Sequence, residues 1–138
     1  MIIKEVKFTK TDKNGKESQV SVMLGYCFAT EIAFKEMSGE DVGKFVREAV
    51  KDLGNNVEPD RQKSIYLIMA AVEAYYESIG KKAPITEKDL MNSHQSGEFG
   101  TALGTILGMH IKMNTPPKGD DEDKKDDSQG DEEEPKNV

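Results

Sequence analysis

The chain has no tryptophan, a single cysteine and only two histidines among its 138 residues. Cys27 has no partner for an internal disulfide, which fits a reducing compartment. His94 and His110 fall in different predicted elements, and Cys27 stands apart from both, so no metal-ligand spacing is present. H-E-x-x-H, P-loop, G-x-G-x-x-G and G-x-S-x-G motifs are missing as well. The segment "DKNGKES" lacks the glutamate that closes a calcium loop, and a hairpin turn explains it better. No catalytic residue, cofactor or metal is therefore expected. No apolar run approaches the roughly 18 residues of a membrane span. The opening "MIIKEVKFTK" has neither an apolar core of signal-peptide length nor a cleavage site.

A basic excess is also lacking. The formal net charge is −7. Residues 115–138 hold 10 acids and 4 lysines, and their one large apolar residue is Val138. Residues 1–114 hold 16 acids and 15 bases, so the body is almost neutral. Neither nucleic acid nor membrane is an expected partner of such a body. The tail buries too little apolar surface to offset its ordering entropy, and it is expected to be disordered.

What is present is periodicity. Ile2, Val6 and Phe8 share one strand face, broken by Lys4, and Val20, Val22 and Leu24 share another. Asn14-Gly15 between them predicts a type I′ turn joining strands near 2–10 and 17–24. Two strands alone are marginal, so the hairpin must dock on something or pair with another chain. Gly25 punctuates the second strand. Residues 27–37 predict a helix anchored by Phe28, Ile32 and Phe34. Ser38 reads as an N-cap with Asp41 three residues on. Val42, Phe45, Val46, Ala49, Val50 and Leu53 then mark one buried helical face.

Pro59 suits the first turn of the next helix, 59–79, whose apolar arc is so wide that it must be central. Gln62, Tyr66, Glu73 and Glu77 leave it only a narrow polar stripe, with Ile68 and Val72 at the centre of the core. "TEKD" caps a short helix near 87–93 through Thr86 and Asp89. The last helix, 97–113, presents Phe99, Leu103, Ile106 and Leu107, and Pro116 and Pro117 stop it. The expected fold is a helix-dominated α+β domain over residues 1–114: an N-terminal hairpin, then about five helices, then the acidic tail of 115–138.

Gly100, Gly104 and Gly108 recur every fourth residue of the last helix. Each glycine costs about 1 kcal/mol against alanine, or about 3 kcal/mol together. Close packing on the central helix would offset this, and so would a flat strip that receives a partner. Tyr75-Tyr76 offers a similar choice between core packing and an interface. His110 and Cys27 read as packing residues, and Glu73 with Glu77 as a solvated face.

Three segments resemble the tail assembly chaperones of tailed phages and prophages. They are the aromatic-rich stretch ending in "MSGEDV", Phe28 to Val42; the long apolar helix from Asp60 to Tyr76; and "TEKDL", Thr86 to Leu90. The resemblance covers roughly residues 18–113 as a pattern of hydrophobic and capping positions, and neither the three glycines of the last helix nor the acidic tail carries it. It implies a non-catalytic protein that binds the helical tape measure protein and helps the major tail protein polymerise around it. It also implies residence in the bacterial cytoplasm and absence from the mature virion. Family members often have a longer, frameshifted form. Self-association stays open. The expected contact is Gly100, Gly104, Leu107 and Gly108, with Tyr76 as a neighbouring anchor. The alternative class is a small tail or connector component retained in the particle.

Overall fold

Two ten-residue strands, β1 (Ile2–Thr11) and β2 (Glu17–Tyr26), form an antiparallel hairpin in this computed structural model, which describes residues 1–93 and 96–115. Val6 faces Val22 and Phe8 faces Val20 across the ladder. Val6, Phe8, Val22, Leu24 and Tyr26 are buried, while Glu5, Lys7, Gln19 and Ser21 face outward. This is the alternation of a sheet covered on one side. The turn differs from the expected type I′. Gly15 has φ of 80°, but Asn14 is not in the left-handed region. The Asp12 carboxylate accepts from Asn14 N at 2.8 Å and Lys16 N at 2.9 Å, and Gly15 N donates to Asp12 O at 3.0 Å. An aspartate-anchored turn with one left-handed glycine does the work of two.

Five helices follow: α1 (Phe28–Ser38), α2 (Val42–Gly54), α3 (Arg61–Ser78), α4 (Glu87–Met91) and α5 (Ser96–Asn114). The architecture is the expected hairpin followed by five helices, with helix dominant. α3 and α5 cover the apolar face of the sheet, α1 packs on α3, and α4 packs on α3. The hairpin gains its stability from these helices, and both edges are tied to them. On the β1 edge, Thr9 N and Oγ1 each donate to the Glu98 carboxylate at 2.8 Å. On the β2 edge, Met23 N donates to Tyr76 Oη at 3.1 Å, and Thr30 Oγ1 donates to Gly25 O at 2.8 Å. Gly25 lies inside β2 instead of ending it. A Cβ there would sit 2.6 Å from Met1 Sδ and 3.2 Å from Tyr75 Cβ, so the strand approaches α3 too closely for a side chain.

α3 is central as its composition requires. Ile65, Leu67, Ile68, Met69, Ala70, Ala71 and Val72 are all buried, and Ile68 and Val72 are fully so. Asp60, not Pro59, starts this helix: its side chain accepts from Lys63 N at 2.9 Å. The expected cap at Ser38 is also displaced. Ser38 is the last residue of α1, Gly39 closes it at φ of 76°, and Asp41 holds the N-cap position of α2 with its carboxylate on Lys35. The Thr86–Asp89 capping box is present with both of its hydrogen bonds. The largest departure is in α1. Phe34 is buried and stacks on Phe45 at 5.5 Å, but Phe28 and Ile32 are exposed. Val50 and Leu53 of α2, expected in the core, are half exposed. Cys27 is half-buried at the N-cap of α1. His94 and residues 116–138 of the acidic tail lie outside the described residues.

Candidate functional site

α5 carries four of the five residues expected to contact a partner. Phe99, Ala102, Leu103, Ile106, Leu107 and Met109 turn toward the core and are buried. Gly100, Gly104 and Gly108 lie on the opposite side and are exposed, with nothing within 4 Å of where a Cβ would stand. Close packing against α3 therefore does not account for the glycines. Leu107 is next to them on the chain, but it is only 5% exposed and belongs to the floor. Tyr76 is elsewhere. Its hydroxyl is held at the outer edge of β2 and its ring meets Tyr75 edge-on at 4.9 Å, so it anchors the hairpin.

The outward position of the glycines has a measurable consequence. Each leaves an exposed helix interior without the propensity of alanine. Gly100→Ala, Gly104→Ala and Gly108→Ala should each raise the unfolding free energy by up to about 1 kcal/mol. Urea denaturation of the triple variant would read the sum. A loss of stability would place the glycines back in a packed contact.

Two hollows flank α5. One, of about 390 Å³, is lined by Leu53, Val57, Pro59, Phe99, Gly100 and Leu103 among others. Arg61 covers the Phe99 ring at 4.7 Å. The other, of about 360 Å³, is lined by Phe28, Glu31, Ile32, Val42, His110 and Asn114 among others. The first joins the C-terminal end of α2 to the N-terminal end of α5, and the second joins the opposite ends. The linings set the two helices antiparallel with one hollow at each end, and the strip from one hollow to the other is the α2–α5 seam.

Of the ten exposed large hydrophobic residues among the described residues, four line these hollows: Phe28, Ile32, Leu53 and Val57. No Asp, Glu, Lys or Arg occurs between Glu98 and Lys112, so the α5 wall carries no fixed charge. Charge is confined to the hollows at its ends, Glu58 and Arg61 in the first and Glu31, Lys35 and Asp41 in the second. Exposed apolar side chains grouped beside such a wall mark interaction sites on soluble proteins.

The second hollow has a polar floor. Tyr26 Oη donates to Glu31 Oε2 at 2.9 Å and lies 2.7 Å from His110 Nδ1. The Tyr26 hydroxyl spends its one hydrogen in the bond to Glu31, and His110 Nδ1 lies between the tyrosine oxygen and Asn114 Nδ2, at 3.2 Å, with its role set by the tautomer. Burial, then the Glu31 carboxylate, pushes the Tyr26 hydroxyl well above its ordinary value. Burial also holds the His110 imidazole below its ordinary 6.5 and outweighs the upward pull of Glu31.

The sign follows from linkage. As pH falls below about 6.5 the unfolded chain takes up this proton before the folded chain does, so stability declines through that range. Urea unfolding at about pH 7.5 and about pH 5.5 should show a larger acid loss in the wild type than in His110→Gln. Equal losses would mean that His110 titrates as freely when folded as when unfolded.

Among the described residues no group of three His, Cys, Asp or Glu could hold a metal, and no helix is long and apolar enough to cross a membrane. Compared with protein-family models, curated proteins and solved structures, the chain matches none. Sequence reasoning had placed Phe28, Ile32, Val50 and Leu53 in the core, and with them it missed most of the seam. The glycine positions held a usable signal. They fall half a turn around the helix from Ile106 and Ala102.

Proposed function

We propose that this protein is a non-catalytic tail assembly chaperone of a tailed phage or prophage, and that it holds an amphipathic helical segment of the tape measure protein along the α2–α5 seam. The observation that carries this reading is the α5 wall, free of fixed charge between Glu98 and Lys112, with exposed Phe28, Ile32, Leu53 and Val57 at the hollows on its two ends. A tape measure chain has apolar stripes with no partner until the tail tube surrounds it. A helix lies naturally in such a groove, with its apolar side chains seated every third or fourth residue. The glycine strip suits the same task, because a surface without side chains lets a partner backbone come close. The segment resemblance, Phe28 to Val42, Asp60 to Tyr76 and Thr86 to Leu90, supports the same family.

A transient chaperone must release its client. Modest binding at each of several copies along a long client achieves this better than one tight site. On this reading the protein works in the bacterial cytoplasm, contacts the tape measure protein and the incoming major tail protein, and leaves before the virion matures. Mass spectrometry of purified particles tests the last step. The chaperone reading expects the tape measure protein without this chain. Stoichiometric recovery of this chain in particles would replace it with a tail or connector component.

A further inference from the structure

Both hollows have charged and apolar lining, and they differ in how the carboxylate is met: in the first, Arg61 Nε stands on Glu58 at 3.3 Å, while in the second no lysine or arginine stands on Glu31 among the described residues. The hollow beside α1 is built around Glu31, whose side chain is only 21% exposed. Its Oε2 is crowded by Tyr26 Oη at 2.9 Å, Asn114 Nδ2 at 3.4 Å and His110 Nδ1 at 3.6 Å. Its Oε1 has no hydrogen bond among the described residues.

The nearest cation does not fill the vacancy. Lys35 stands one turn along α1, at the spacing that favours pairing with Glu31, yet its ammonium is on Asp41 at 3.1 Å. Lys35 and Asp41 pair with each other, and burial disfavours the charged form of His110. Glu31 is therefore left as a carboxylate with no lysine or arginine on it among the described residues. At its mouth stands Phe28, 73% exposed, with Ile32 one turn on. An aromatic face beside a partly desolvated carboxylate is a setting for a cation, and arginine suits it better than lysine because a planar guanidinium both stacks and forks.

Resting on the chaperone reading for the identity of the client, we propose that this hollow receives an arginine side chain projecting from the docked helix: the guanidinium bonds Glu31 Oε1 and lies against Phe28, while Ile32 and Val42 hold the methylene stem. The client segment is then an amphipathic helix with an apolar stripe for the seam and a basic residue at one end of that stripe. The charge fixes the direction in which the helix lies, because in the other hollow, at Leu53, Val57 and Phe99, the Glu58 carboxylate is already paired with Arg61 at 3.3 Å.

The test separates the hollow from the client. The full chain, labelled for NMR, is titrated with N-acetyl-arginine amide and with its neutral isostere N-acetyl-citrulline amide. Saturable shifts at Phe28, Glu31 and His110 are expected with the first and not the second. No saturable shift, or the same response to both, overturns the proposal. Client segments that co-purify with the chain are then tested with their arginines changed to citrulline. Binding is expected to weaken about tenfold to a hundredfold at one position, and to weaken similarly with Glu31→Gln. Because Glu31 also bonds Tyr26, Phe28→Ala serves as the variant that leaves the fold intact, with a smaller loss expected. Client binding that ignores all three changes overturns the hollow and leaves the chaperone reading standing. Arginine binding with no tape measure segment bound does the reverse.

Discussion

Replacing Ile68 with alanine should lower the unfolding free energy by about 2–5 kcal/mol. Ile68 is fully buried in α3, and α3 is packed on by the sheet, α1, α4 and α5. A wall built from so many separate elements cannot close over the missing atoms with one small shift, so the cavity term adds to the transfer term. Chemical denaturation of the two proteins gives the difference directly. A loss under about 0.5 kcal/mol, the scale of a surface change, would mean that the centre of the core lies elsewhere.

The second large effect is on binding. Leu53→Asp with Val57→Asp puts two carboxylates at the apolar end of the seam. The native side chains are 48% and 51% exposed, so stability should change by about 1 kcal/mol or less. A docked apolar helix would have to bury those charges without partners, and affinity for the client should fall about a hundredfold or more. Ile79→Asp is the control. Ile79 is 45% exposed but lies at the end of α3, outside the seam. Equal loss in both variants would remove the seam as the binding surface.

The elements were legible where one physical pattern had no competitor. Alternation marked both strands despite the break at Lys4, and the near-continuous apolar arc of α3 admitted only a central position. The α1 helix was not legible in this way. It carries apolar residues around most of its circumference, so nothing local says whether Phe28 and Ile32 or Phe34 and Met37 face inward. The decision was made by Thr30, a polar residue that holds a fully buried place because its hydroxyl donates to Gly25 O. That bond joins α1 to β2 across a contact no periodicity can show. With α1 turned to bury Thr30, Phe28 and Ile32 point outward.

The same limit applied to the cluster of Tyr26, Glu31, His110 and Asn114. Those four residues come from three elements up to 88 positions apart. Only the fold brings them to one floor, and no short motif connects them. The turn at Asp12–Lys16 shows a gentler failure. Asn-Gly indicated a hairpin correctly, but Asp12 supplied a side-chain anchor that changed the turn type.

The central claim is that the α2–α5 seam holds a tape measure helix. The most direct measurement is co-purification of the tagged full chain with co-expressed segments tiling the tape measure protein of the same phage. The wild type should retain at least one amphipathic segment, and Leu53→Asp with Val57→Asp should lose it while staying folded by circular dichroism. Failure of the wild type to retain any segment would contradict the chaperone assignment itself.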